Sequence, residues 1–126
     1  MPPRAEAQRL APDARERLLA QLRQPGVEAD RLVHEFLGRS DRDSNLPPYT
    51  REVEAAMTLL PRGVHFLCGR FEEGTLFWCD VGFRPQVQAW GENLAAAIAG
   101  AAVAYLTHPD SPLRDPLTSA ESTSLH

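Results

Sequence analysis

The sequence predicts an α+β fold: a small antiparallel three-stranded meander with helices packed on both faces, in the order α-α-α-β-β-β-α. Three observations predict it. The first 60 residues carry apolar groups at helical spacing, the period switches to two after Gly63, and helical spacing returns in the Ala-rich run "GENLAAAIAGAAVAYL". With 126 residues and 43% apolar content, the chain suits one domain with a modest core. That domain is expected over 12–107. Residues 1–11 read as a flexible amino terminus and 108–126 as a disordered tail, since neither carries an apolar stripe that would offset the entropy of ordering it.

In "DARERLLAQL", Asp13 is placed to cap a helix, Glu16 follows three residues later, and Leu18, Leu19 and Leu22 share a side; "QPG" ends the element. A second helix is expected in "VEADRLVHEFLG", with Ala29, Leu32, Val33 and Phe36 as its stripe and Gly38 in the left-handed position that closes it. The polar connection "RSDRDSNLPPY" is long for a compact domain and ends in a stiff diproline. Beyond it, Thr50 is expected to cap a third helix whose stripe is Val53, Ala56, Met57 and Leu60, stopped by Pro61.

"VHFLCGRF", "LFWCDV" and "PQVQAW" are the expected strands. The first two carry large apolar groups on both faces, hence the expectation of helical cover on both sides. The hairpin register stays open. A symmetric "EG" or "EEGT" loop sets Cys68 opposite Cys79, whereas a three-residue "EEG" loop with a glycine bulge sets Cys68 opposite Trp78. In the last helix Leu94, Ala97, Ile98, Ala101 and Tyr105 form the stripe expected to cover the sheet.

Charge and chemistry narrow the function classes. Residues 1–44 balance eight Arg against eight Asp or Glu, while 45–126 hold five against nine, for a net charge of −4. Direct nucleic-acid binding is disfavoured, because no basic cluster is present to replace counterions on phosphate. No apolar run reaches the roughly 20 residues of a membrane span, and the amino terminus lacks the layout of a signal peptide, so a soluble cytoplasmic protein is expected.

His65, Cys68, Cys79 and Asp80 are of metal-ligating type, but residues three apart on a strand, like adjacent ones, point to opposite faces. They read instead as structural residues, with both thiols free and buried. Ser40, Ser44 and the serines of the tail sit in polar segments, and no Gly-x-Ser-x-Gly elbow or phosphate cradle occurs. His34 reads as a surface or boundary residue and His108 as a group at the negative end of the last helix. No catalytic, cofactor-binding or metal-ligating residue is assigned, and no cofactor is expected.

"LVHEFLG", "PPYT" opening an Ala-containing helix, "GTLFWCDV" and "AWGENLAAAIAGAAVAYL" together resemble the phage ABA sandwich domain, a family of small phage proteins, over about residues 29–106. The sequence departs from that pattern at Phe36-Leu37-Gly38-Arg39, where the family has a Met-Gly-Trp-like turn, and at Ala99 and Gly100, where it has a Cys-Arg pair. The resemblance implies an α-β-α layered fold and a phage or prophage setting, hence the cytoplasm of a bacterial host. It implies no catalytic residues.

The function expected from these readings is a phage- or prophage-encoded, non-enzymatic binding protein that modulates a host or phage protein, for example as an anti-CRISPR-like inhibitor of a bacterial defence system. The alternatives are a small hydrolase or metal protein with a site assembled from distant residues, and a minor virion protein. The partner is expected to be a protein, of the bacterial host. Its contact region is expected at the 39–49 loop and the helix start behind it, through Arg39, Arg42, Tyr49 and Arg51, joined by Trp90 if that end of the sheet lies near. Tyr49 has a second role open to it, capping the core.

Overall fold

The computed structural model describes residues 11–38, 46–72 and 74–110. Helix α1 (Pro12–Gln21) starts one residue before the expected cap: Pro12 occupies the first turn, Ala11 is the N-cap, and Asp13 lies inside the helix near its positive end. Proline's fixed φ and missing N–H suit that position, so it displaces the acid as the start signal. Helix α2 (Val27–Phe36) buries Ala29, Val33 and Phe36 as expected, with Gly38 in the left-handed region at φ 79°. It also buries two polar residues beside the stripe, Asp30 and His34. His34 is therefore not a boundary residue; its ring lies 6.3 Å from that of Tyr49.

Helix α3 (Val53–Met57) is only five residues long, and its N-cap is Glu52. Thr50 is not the cap. Its hydroxyl is buried and turned toward α2, as described below. The buried side is also rotated from the expected stripe, since Ala56 and Leu59 enter the core while Val53 and Met57 stay exposed.

Strands β1 (Phe66–Arg70), β2 (Phe77–Val81) and β3 (Val87–Gly91) form the antiparallel meander in the order β1-β2-β3. The first hairpin takes the symmetric register. Phe71 N–H donates to the Leu76 carbonyl at 2.9 Å, and Cys68 stands opposite Cys79. A turn with a cis Arg84-Pro85 bond leads into β3.

Helix α4 (Leu94–Leu106) closes the fold. Asn93 caps it, its side-chain oxygen accepting from Ala96 N–H at 2.7 Å. Every residue from Ala95 to Tyr105 is buried, so α4 is not a cover with one apolar stripe. It is the centre of the molecule, with the sheet on one side and α1 and α3 on the other. A helix apolar all round needs burial all round, and small side chains let neighbours approach on every side. A Cβ at Gly91 would stand 2.8 Å from Ala96 Cβ, and one at Gly100 would stand 3.2 Å from Ala89 Cβ.

The fold is thus α+β with the expected element order, but the layering differs from the expectation. Helical cover is met on one face only: among the described residues, α4 packs on the side of the sheet that carries Cys79, Val81, Val87 and Ala89, whereas Leu67, Gln88 and Trp90 on the other side stay exposed. The large apolar groups of the other face need no helix, because one tryptophan folds down over a glycine and the rest remain at the surface.

Candidate functional site: the uncovered face of the sheet

Register determines what this face displays. Leu67, Asp80 and Gln88 form one row across the three strands, and Gly69, Trp78 and Trp90 form the next. Trp78 lies over Gly69, where a Cβ would be 2.6 Å from its Cζ2. The glycine therefore gives the indole a flat bed, and Trp78 is half-buried without any helix above it. Directly opposite Trp78, Trp90 is 36% exposed, and Leu67 on β1 is 58% exposed.

One residue reaches the face from outside the sheet. Arg23, in the turn after α1, stacks its guanidinium 4.3 Å from the centroid of the Trp90 ring. Its carbonyl accepts from Glu92 N–H at 2.9 Å, which ties the turn to the end of β3. The stacked pair gains cation–π attraction while keeping its donors available. In the neighbouring row Gln88 Nε2 donates to Asp80 Oδ1 at 2.8 Å, so the polar part of the face is held in a set geometry. At the β1 end, His65 stacks on the exposed Phe83 with ring centroids 4.5 Å apart.

The residues expected to form a contact region separate into different roles. Arg39 and Arg42 lie outside the described residues. Tyr49 is 1% exposed and packs in the core, the second of the roles open to it, so its ring is not offered to a partner. Arg51 is half-exposed and bound to Asp30: its Nε donates to Asp30 Oδ2 at 2.6 Å. Trp90 lies on the uncovered face.

Asp30, fully buried, explains the diproline segment. Its Oδ1 accepts from Thr50 N–H at 2.8 Å and from Thr50 Oγ1 at 2.6 Å, while Gly26 N–H donates to Thr50 Oγ1 at 3.0 Å. Pro47 and Pro48 begin the tight turns in which Tyr49 N–H donates to Pro47 O and Arg51 N–H to Pro48 O, and these turns deliver Thr50 and Arg51 to that carboxylate. The rigidity of "PPYT" serves the fold. The Arg23–Gly26 turn joins the two regions, since Arg23 meets Trp90 and Gly26 meets Thr50.

The residues of metal-ligating type do not converge. Cys68 faces Cys79, Asp80 is engaged by Gln88, and His65 is on Phe83. Among the described residues, no group of three or more His, Cys, Asp or Glu side chains is placed to hold a metal ion, and no helix is long and apolar enough to cross a membrane. A groove of about 590 Å³ between the end of α1 and the start of α2, lined by Gln21, Gln24, Pro25, Val27, Glu28 and Leu32, brings together no nucleophile and base.

Sequence reasoning missed Arg23, Leu67 and Trp78. In the sequence Leu67 and Trp78 are visible as the second apolar face of their strands, which predicts burial under a helix. For Arg23 no local signal exists, because its partner is 67 residues away. Compared with known proteins, the chain matches no family model, no curated protein and no solved structure.

Proposed function

We propose that this domain is a non-enzymatic binding protein and that the uncovered sheet face is its contact surface. The observation that carries the reading is the exposed Trp90 with Arg23 stacked on it, beside the exposed Leu67, on a face that no described helix covers. Aromatic and Arg side chains at the centre of a patch, with polar groups such as Asp80 and Gln88 around them, are the composition of protein-contact surfaces. Rigid strands hold them, so little ordering is needed on binding. The short motifs that resemble phage ABA sandwich domains are what supports a phage or prophage setting, and a protein partner in a bacterial host is the reading that fits that setting. Interference with a host defence system such as CRISPR is the particular form of the reading.

The test is capture of host proteins by the tagged full chain, compared with two variants. Replacing Leu67 and Trp90 together by Ala is expected to weaken capture of the same partner by tenfold or more, since central aromatic groups carry about 2 kcal/mol or more of binding. Arg51→Ala is expected to leave capture unchanged. Undiminished capture by a folded Leu67→Ala, Trp90→Ala variant overturns the reading. The same open face also supports the minor virion protein, which predicts symmetric self-association visible by sedimentation at rising concentration.

A further inference from the structure

Cys68 and Cys79 take no part in the proposed contact face, because they lie on the opposite side of the sheet. The backbone determines what kind of pair they are. Gly82 N–H donates to the His65 carbonyl at 2.7 Å and Phe71 N–H to the Leu76 carbonyl at 2.9 Å. Hydrogen-bonded rungs therefore fall at odd positions of β1, and Cys68 and Cys79 occupy a rung without hydrogen bonds. On such rungs the α-carbons stand roughly 4.5 Å apart, the closest approach two strands make. That separation lies at the short end of the range a disulfide spans. Both thiols are free, and their sulfurs are 3.1 Å apart.

We propose that Cys68 and Cys79 are a reversible dithiol–disulfide couple that exchanges with a low-molecular-weight disulfide of the glutathione class. Cys68, only half-buried, is the sulfur such a reagent reaches. Its thiolate attacks one sulfur of oxidised glutathione, forming a Cys68–glutathione bond, breaking the glutathione disulfide and releasing one glutathione thiolate. Cys79 then gives up its proton, which that thiolate takes, and the Cys79 sulfur attacks Cys68 and expels the second glutathione as a thiolate, which takes from solvent the proton that Cys68 released there on ionising. Two protein thiols are oxidised and one glutathione disulfide is reduced to two thiols. Burial and the nearby Asp80 charge, which remain once Cys68 is in the mixed disulfide, hold the Cys79 thiol above its ordinary range, so the second step is the slow one.

Reversibility follows from the rung. A bridge closed at its short limit is strained and so more easily reduced than a relaxed structural disulfide. Closing it ties β1, the strand least covered by α4, to β2, and so braces the strand that carries Leu67.

The full chain is equilibrated in buffers of graded reduced-to-oxidised glutathione ratio, thiols are trapped by alkylation, and the protein is digested with trypsin. Trypsin cuts after Arg70, between the two cysteines, so a bridge joins two peptides. The expected result is loss of both alkylation sites in step, with the joined peptides appearing from monomeric, folded protein and disappearing on adding dithiothreitol. Cys79→Ser is expected to stop at Cys68 glutathionylation. Thiols that stay alkylatable in fully oxidised glutathione overturn the proposal, as do Cys68 glutathionylation without a bridge in the wild-type chain and bridges found only between chains.

Discussion

At the scale of single residues the molecule depends on a few buried polar groups whose partners are far away in sequence. Removing the Asp30 carboxylate leaves buried Thr50 N–H without its acceptor, leaves Thr50 Oγ1 only the Gly26 carbonyl at 3.3 Å, and strips the half-exposed Arg51 Nε of its partner. Asp30→Ala is therefore expected to cost about 2–4 kcal/mol in urea unfolding, because buried donors lose their bonds without regaining water. Arg51→Ala is expected to cost about 1–3 kcal/mol, since Thr50 bonds only Asp30 Oδ1 and the buried Oδ2 loses its partner, while the half-exposed position admits water in its place. Cys79 gives a pH dependence of defined sign. Its thiol is pushed up in the fold, first by burial and then by Cys68, whereas in the unfolded chain it ionises near pH 9.0. The fold keeps a proton that the unfolded chain loses, so this contribution is fully present below about pH 9 and is lost as pH rises, at about 1.4 kcal/mol per pH unit. Urea melts at pH 8 to 11 on the wild type and Cys79→Ala are expected to show that extra slope in the wild type alone.

At the scale of elements, the close approach of α4 to the sheet is the feature most exposed to test. A Cβ at Gly91 meets the Ala96 side chain and the Ala97 backbone nitrogen within 3 Å, and backbone cannot step aside. Gly91→Ala is expected to cost about 1–3 kcal/mol by thermal or urea unfolding. Gly100→Ala meets only Ala89 Cβ, at 3.2 Å, and gains helix propensity, so it is expected to fall within about 1 kcal/mol of neutral. The elements are also where sequence and structure compare best. Period-two and period-3.6 patterns located each strand and helix of the described residues, because those patterns arise from the backbone's own geometry. What went unread depends on partners distant in the chain. Thr50 looks like a cap because Ser, Thr and Asp before a helix usually are, yet a buried Asp30 competes for its hydroxyl and wins. The Ala-rich helix reads as having one stripe because Leu, Ile and Tyr mark a side, and alanine carries no sign of which neighbour it will touch. Tyr49 keeps two roles open in the sequence because an aromatic at a loop end looks the same whether it caps a core or faces a partner, and its burial selects the first.

At the scale of the whole molecule, the first and last helices of the described residues are tied to each other. Arg15 Nε donates to Thr107 Oγ1 at 2.8 Å, and Arg15 Nη2 to the Ala104 carbonyl at 2.9 Å, so the first helix grips the end of the last. Ending the chain after His108 is expected to leave the melting temperature within a few degrees of the full chain, whereas ending it before Thr107 is expected to lower it clearly, as buried carbonyls of the last turn lose their donors.

Because α4 is both the centre of the core and the last regular element among the described residues, the order of synthesis runs against the order of packing. The sheet and the helices α1 and α3 meet chiefly through α4, so until residues 94–106 have been made they have little to pack against. A nascent chain cannot bank stability one piece at a time; it stays a collection of unsupported segments and then folds as one unit. A chain halted at Gly91 is accordingly expected to show no cooperative unfolding transition, and its exposed strands make it a substrate for proteases until the helix that organises them arrives.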